Sequence, residues 1–242
     1  MNRGVEKYCL SPQIFSSQMS WLAGHGYTPI SLEALLACRK SEVILPDKPV
    51  MITFDDGYQD LIRYAVPVLQ KYAFPAIFYL VAGMVGKSSA WMGGTDLGEI
   101  PLMDWNEARQ LSEAGFQIGS HSMRHLRLAE VPLEDVCNEL ADSRNLLEMR
   151  LGREIRHLAY PFGSYNEAVQ RIAGEIGYLS AVSVRIGLSG LNDDLYALQR
   201  VPLSRQDSML DFICKLRTAR NFRKSLKQAA RNWRGTLKRM LP

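Results

Sequence analysis

Three short polar clusters carry residue types that do hydrolytic chemistry. Thr53-Phe54-Asp55-Asp56-Gly57 sets two adjacent carboxylates between an apolar run and a glycine. Adjacent residues leaving a strand point in different directions, so one carboxylate can bind a metal while the other faces a substrate. A plain turn explains the same letters, because Asp-Gly is a common turn pair. His121-Ser122-Met123-Arg124-His125 places two histidines four apart. On a helical turn both lie on one face, a spacing suited to metal capture. The zinc-protease pattern needs glutamate directly after the first histidine; Ser122 stands there and excludes it. Two unrelated histidines are the plainer explanation, weakened because the chain holds only four and two sit here. Ala159 to Asn166 (AYPFGSYN) can present backbone N–H groups and an aromatic wall, or be a simple strand-to-helix turn. Together the clusters offer His, His and Asp to one metal with coordination positions left open, plus one free carboxylate. That is the layout of a hydrolytic site.

Strands and helices in alternation must position these clusters. Val50–Phe54, Ala76–Val81, Phe116–Gly119, Ile155–Tyr160 and Tyr178–Val184 read as strands from their apolar, β-favouring runs. Helices are predicted over Pro12–Ala23 with Ser11 as cap, from Ser31 through Ala37, over Asp60–Tyr72 with a kink or break at Pro67, from Asp104 to about Ala114, over Pro132–Met149 and over Asn166–Ile176. Alternation of this kind argues for an α/β fold with a parallel sheet, open or closed into a barrel. Each polar cluster then falls at the carboxyl end of a strand, where such folds place their active sites. The glycine-rich stretch 82–103 is the longest irregular segment and reads as a lid or substrate wall, or as a surface excursion.

The 242 residues, 47% apolar and 22% charged, suit a globular protein and exclude a disordered or collagen-like chain. No apolar run reaches the length of a membrane span, and the first residues lack a signal-peptide core, so the chain as written is expected to be cytoplasmic. The four cysteines form no CxxC pair, which argues against a disulfide framework or a thiolate zinc site. Charge is uneven. Residues 212–242 carry ten Lys/Arg and no Asp/Glu, leaving a net of −6 on the remaining 211. From Leu216 onward apolar residues recur every three or four positions, predicting a basic amphipathic helix. Such a helix lies peripherally on an anionic membrane or packs on the body with a solvated basic face. No nucleic-acid module is present and no nucleic-acid partner is expected. The expected organisation is a helical lead-in over 1–48, a catalytic barrel over 49–211 and a basic tail over 212–242.

TFDDG and HSMRH, in this order and at strand ends, resemble the first two motifs of the polysaccharide deacetylase family, the NodB-homology group. MDWNEARQLSEAGFQIGSHS and LAYPFGSYN resemble the family over the same stretch. The resemblance covers residues 12 to 205 and implies a distorted, incomplete (β/α) barrel. It implies Asp55 as catalytic base, Asp56, His121 and His125 as ligands of one divalent metal, usually zinc, and an N-acetylated oligo- or polysaccharide as substrate. Tyr160, Pro161 and Phe162 become candidates for the sugar wall and the oxyanion donor. The chain also departs from the pattern. No histidine follows His157, so the family's Leu-x-x-His acid is missing, and His157 itself reads as packed. Ala159 stands where an arginine usually orients the base, for which Arg200 can substitute. No Asp-x-x-Asp-Trp is visible, and the chain begins after the Tyr-His strand that opens many relatives. The function expected is metal-dependent removal of N-acetyl groups from glycan amino sugars. An amidohydrolase of another non-peptide C–N bond, or a non-catalytic glycan-binding scaffold, would keep the same fold.

Overall fold

The computed structural model describes residues 9–95 and 98–220. Helix α1 (Pro12–Gly24) starts where Ser11 accepts the Ile14 amide, with proline at the first helical position. Strand β1 (Thr28–Pro29) leads to α2 (Leu32–Arg39), capped by Ser31. The run expected as one strand over Val50–Phe54 divides into β2 (Pro49–Val50), paired in parallel with β1, and β3 (Thr53–Phe54). The segment predicted as one helix over Asp60–Tyr72 is likewise two, α3 (Asp60–Tyr64) and α4 (Val66–Lys71). Pro67 is the reason: it sits at the start of α4, where its missing N–H leaves no internal bond unmade. There follow β4 (Ile77–Leu80), α5 (Trp105–Glu113) with a reciprocal Asp104/Glu107 capping box, and β5 (Gln117–Ser120). Then come α6 (Leu133–Leu151), β6 (His157–Ala159), α7 (Glu167–Ile176), β7 (Ser180–Ile186), β8 (Leu198–Arg200) and α8 (Met209–Thr218).

Strands β3 to β8 form one parallel six-stranded sheet in sequential order. The sheet curls into an incomplete barrel. Its two edge strands come close enough for Arg200, ending β8, to bond Thr53 and Asp55 at the end of β3. Alternation along β4 splits two cores. Ile77 and Tyr79 face inward with Ala159, Val182 and Leu198, and Leu32 and Leu35 of α2 pack against this inner cluster. Phe78 and Leu80 face outward into the larger core beneath the helices. The lead-in is thus part of the barrel's packing.

Gly119 on β5 shows how tight the interior is. A methyl group there would overlap the Tyr79 ring. Gly119→Ala is expected to cost about 1–3 kcal/mol, the usual cost of overpacking, read as a lowered chemical-denaturation midpoint.

The tail expectation changes at its start. Phe212 is buried in the main core, edge-on to Trp21, and Leu216 packs against the same core. Lys215 is not solvated either, since it bonds Asp207 and the Pro202 carbonyl. Residues 212–218 therefore belong to a helix of the domain, ended by Ala219 at φ 56°. The rest of the basic amphipathic helix, 221–242, lies outside the described residues. Among the described residues no helix is long and apolar enough to cross a membrane.

Candidate active site

The carboxyl ends of β3, β5, β6 and β8 converge on one mouth of the barrel. After Phe54 the backbone turns left-handed at Asp56 (φ 71°) and Gly57 (φ 78°), and this sends the two neighbouring carboxylates apart. Gly57 is required twice over: its φ favours glycine, and a Cβ would lie 2.8 Å from Leu80 Cδ2.

Asp55 faces Arg200. Arg200 Nη1 and Nη2 donate to Oδ1 and Oδ2, each at 2.7 Å, a bidentate fork. The fork is itself held, because Arg200 Nε donates to the Ser183 carbonyl at 2.9 Å and Nη1 to Thr53 Oγ1 at 3.2 Å. Burial alone would raise the Asp55 pKa. The charge and hydrogen bonds of Arg200 outweigh burial and hold it below the usual carboxylate range.

Asp56 faces the histidines. Its Oδ1 lies 3.3 Å from His121 Nε2 and 3.2 Å from His125 Nε2, and the three ligand atoms lie within 4.8 Å of one another. For donors about 2.0–2.1 Å from a tetrahedral zinc, neighbouring ligands are about 3.3 Å apart. The donor set therefore fits a divalent cation. His121 Nδ1 donates to the Ala159 carbonyl at 2.7 Å, which leaves its Nε2 lone pair facing Asp56. Both imidazoles are buried. The helical turn expected for HSMRH is absent. The segment is a loop with Ser122 at φ 63° and His125 at φ 62°, and this kinked path, not helical i,i+4 spacing, brings the rings together.

Aromatic side chains wall the mouth. Trp91, from the glycine-rich stretch, stacks on the His125 ring with centroids 4.1 Å apart, and the Phe162 ring is tilted against the same imidazole at 4.5 Å. Arg127 lies over the Phe162 ring at 4.3 Å. The Tyr58 phenol is pushed above its ordinary value by burial and by the adjacent Asp56. Of the three residues expected to contact sugar, only Phe162 is exposed: its backbone is left-handed (φ 58°) and its ring lies beside His125. Tyr160 is a correction. It is wholly buried, stacked on Tyr165 and bonded to the Tyr196 carbonyl at 3.0 Å, so it packs the core and does not reach the mouth. Pro161 is buried as well.

The two remaining histidines lie elsewhere. His157 is buried at the start of β6, at the amino end of the barrel, with its ring nitrogens 2.9 Å from Ser180 Oγ and 3.0 Å from Glu33 Oε1. His25 stacks on Trp21 at the end of α1. Neither stands where a leaving group could take a proton.

A family model for polysaccharide deacetylase matches residues 42–181. The chain belongs to that family. YxkH of Bacillus subtilis (strain 168) is 32% identical over 193 residues, which span 78% of this chain and 64% of YxkH. The poly-beta-1,6-N-acetyl-D-glucosamine N-deacetylase of Staphylococcus aureus (strain MRSA252) is 23% identical over 212 residues, 84% of this chain and 70% of its own length. Among solved structures, the Streptococcus pyogenes deacetylase PplD, in complex with acetate, superposes with a TM-score of 0.73 at 24% identity, covering 82% of this chain and 84% of that one. That likeness shows a shared fold, the incomplete barrel of the polysaccharide deacetylases. Within this family frame Tyr58, Trp91 and Arg127 are the mouth residues that sequence reasoning did not single out. Tyr58 directly follows TFDDG, and Trp91 lies in the stretch read as a wall, so adjacency was the available signal for both.

Proposed function

We propose that the chain is a metal-dependent N-deacetylase of glycans, removing acetyl groups from amino sugars of a polysaccharide or envelope glycan. The observation that carries this reading is the convergence of Asp56, His121 and His125 beside a second carboxylate, Asp55, that Arg200 holds apart from them. A divalent ion held by the three donors, zinc in this reading, supplies Lewis acidity that acidifies water and polarises an amide carbonyl. Asp55 takes the proton as water attacks. Arg200 keeps Asp55 ionised and aimed, at the cost of some basicity. The same depressed pKa makes protonated Asp55 a strong acid, and we assign it the return of that proton to the leaving amine, since no histidine is free to do so. The backbone N–H of Phe162 is the assigned donor to the developing oxyanion. Trp91 and the Phe162 ring offer apolar faces to the C–H surface of a sugar.

The family membership and the named activity of the Staphylococcus relative support a poly-N-acetylglucosamine type of substrate. The experiment is acetate release from N-acetylated β-1,6-linked glucosamine oligosaccharides by zinc-loaded protein. Equal amounts of acetate and new free amine are expected. Binding of the oligosaccharide with no acetate released would overturn the enzyme reading in favour of a glycan-binding scaffold.

A further inference from the structure

We infer that Glu139, in the middle of α6 and outside every motif read above, is the positioning residue that gives the His121–His125 loop its affinity for a cation. The inference rests on the metal reading of that loop.

Glu139 is a buried carboxylate, 1% exposed, facing the histidine loop. Its Oε2 accepts the backbone amides of Met123 at 3.0 Å and Arg124 at 2.8 Å. Its Oε1 accepts Arg124 Nε at 2.5 Å. The chain thus wraps three donors, from the two residues just before His125, around one carboxylate. The loop needs this support. Ser122 and His125 both hold left-handed backbone conformations that L-residues avoid, and such conformations persist only where the surroundings over-determine them. One helical turn along, Ser143 bonds Ser120 at 2.6 Å, and Ser120 in turn accepts the Ser122 amide at 3.2 Å. Ser122 Oγ accepts the His125 amide at 3.1 Å. One face of α6 therefore grips the loop at both ends, Ser143 below His121 and Glu139 beside His125. A buried carboxylate satisfied by two main-chain amides and one exposed guanidinium has little reason to sit there for packing alone, since an apolar residue would cost less to bury. Its position converts the burial into a fixed path for the loop.

Partners behind metal ligands typically set affinity by 10- to 100-fold. The test is titration of the full chain with cobalt(II), followed by visible absorption and by competition with a chelator of known affinity, alongside the melting of the metal-free protein. Glu139→Leu, which removes the acceptor of both amides, and Glu139→Asp, too short to reach both amides, are each expected to weaken cobalt about 10- to 100-fold and to alter the absorption band. Arg124→Ala keeps the two amide contacts and is expected to stay within about fivefold of the parent, because an exposed partner adds little. Parental affinity and spectrum in both Glu139 variants would overturn the inference, as would failure of both to melt cooperatively, which would make Glu139 a folding determinant. A parent chain that takes up no cobalt would instead overturn the metal reading, and this inference with it.

Discussion

Asp55→Asn is expected to keep its metal and lose turnover by about 10²- to 10⁴-fold, the usual contribution of a general base. Asparagine has nearly the shape of aspartate, and Asp55 is not one of the three donors Asp56, His121 and His125. The change therefore removes a proton acceptor without removing a ligand. It also leaves Arg200 charged, largely buried and without its anion, which costs about 3 kcal/mol of stability. Far-UV circular dichroism at the assay temperature separates that loss from the chemistry. Metal content near the parent's with turnover abolished is the expected pair of results. Turnover within a fewfold of the parent would remove Asp55 from the mechanism.

Arg200→Gln is expected to move the acid limb of kcat/KM to higher pH. The sign follows from the two opposing influences on Asp55. Burial raises its pKa and Arg200 lowers it, with Arg200 winning in the native protein. Without the cation only burial remains of that pair, so the carboxylate protonates at higher pH and the base is lost earlier as pH falls. An adjacent cation commonly lowers a carboxylate pKa by about 1–3 units, and a shift of that size is expected in the pH profile. Stability follows the same linkage. In the parent the depressed Asp55 contributes stability above its unfolded pKa of about 3.9, lost as pH falls through the lower folded value. The variant lacks that contribution. An acid limb unmoved in Arg200→Gln would show that Arg200 does not set the ionisation of the base.

The barrel was legible because its strands are short apolar runs that end in the polar clusters, and because Ser11, Ser31, Asp104 and Asn166 cap the helices as their side chains dictate. Asp56 and His121 could be read as neighbours only by treating strand ends as one mouth, which parallel topology guarantees. Arg200 was legible as the residue that orients Asp55 only through the family resemblance, because the two lie almost the whole sheet apart along the chain and only the degree of curl decides that they meet. Two features were hidden for physical reasons. Trp91 lies in a stretch without periodicity, so nothing local says where its ring points. The left-handed Ser122 and His125 replace a helical turn, and neither residue is a glycine that would have announced it. Tyr160 and Lys215 failed in the opposite sense. An aromatic beside a Pro-Phe-Gly turn and a lysine in a basic run suggest exposure, yet both are buried by partners distant in sequence, the Tyr196 carbonyl and Asp207.

The most direct measurement is equilibrium zinc content by elemental analysis, made on the parent and on Asp56→Ala and His121→Ala prepared in parallel. About one ion per chain in the parent, and a small fraction of that in each variant, is the predicted outcome. A parent without bound zinc after loading, or variants that hold as much as the parent, would contradict the placement of the cation between Asp56, His121 and His125.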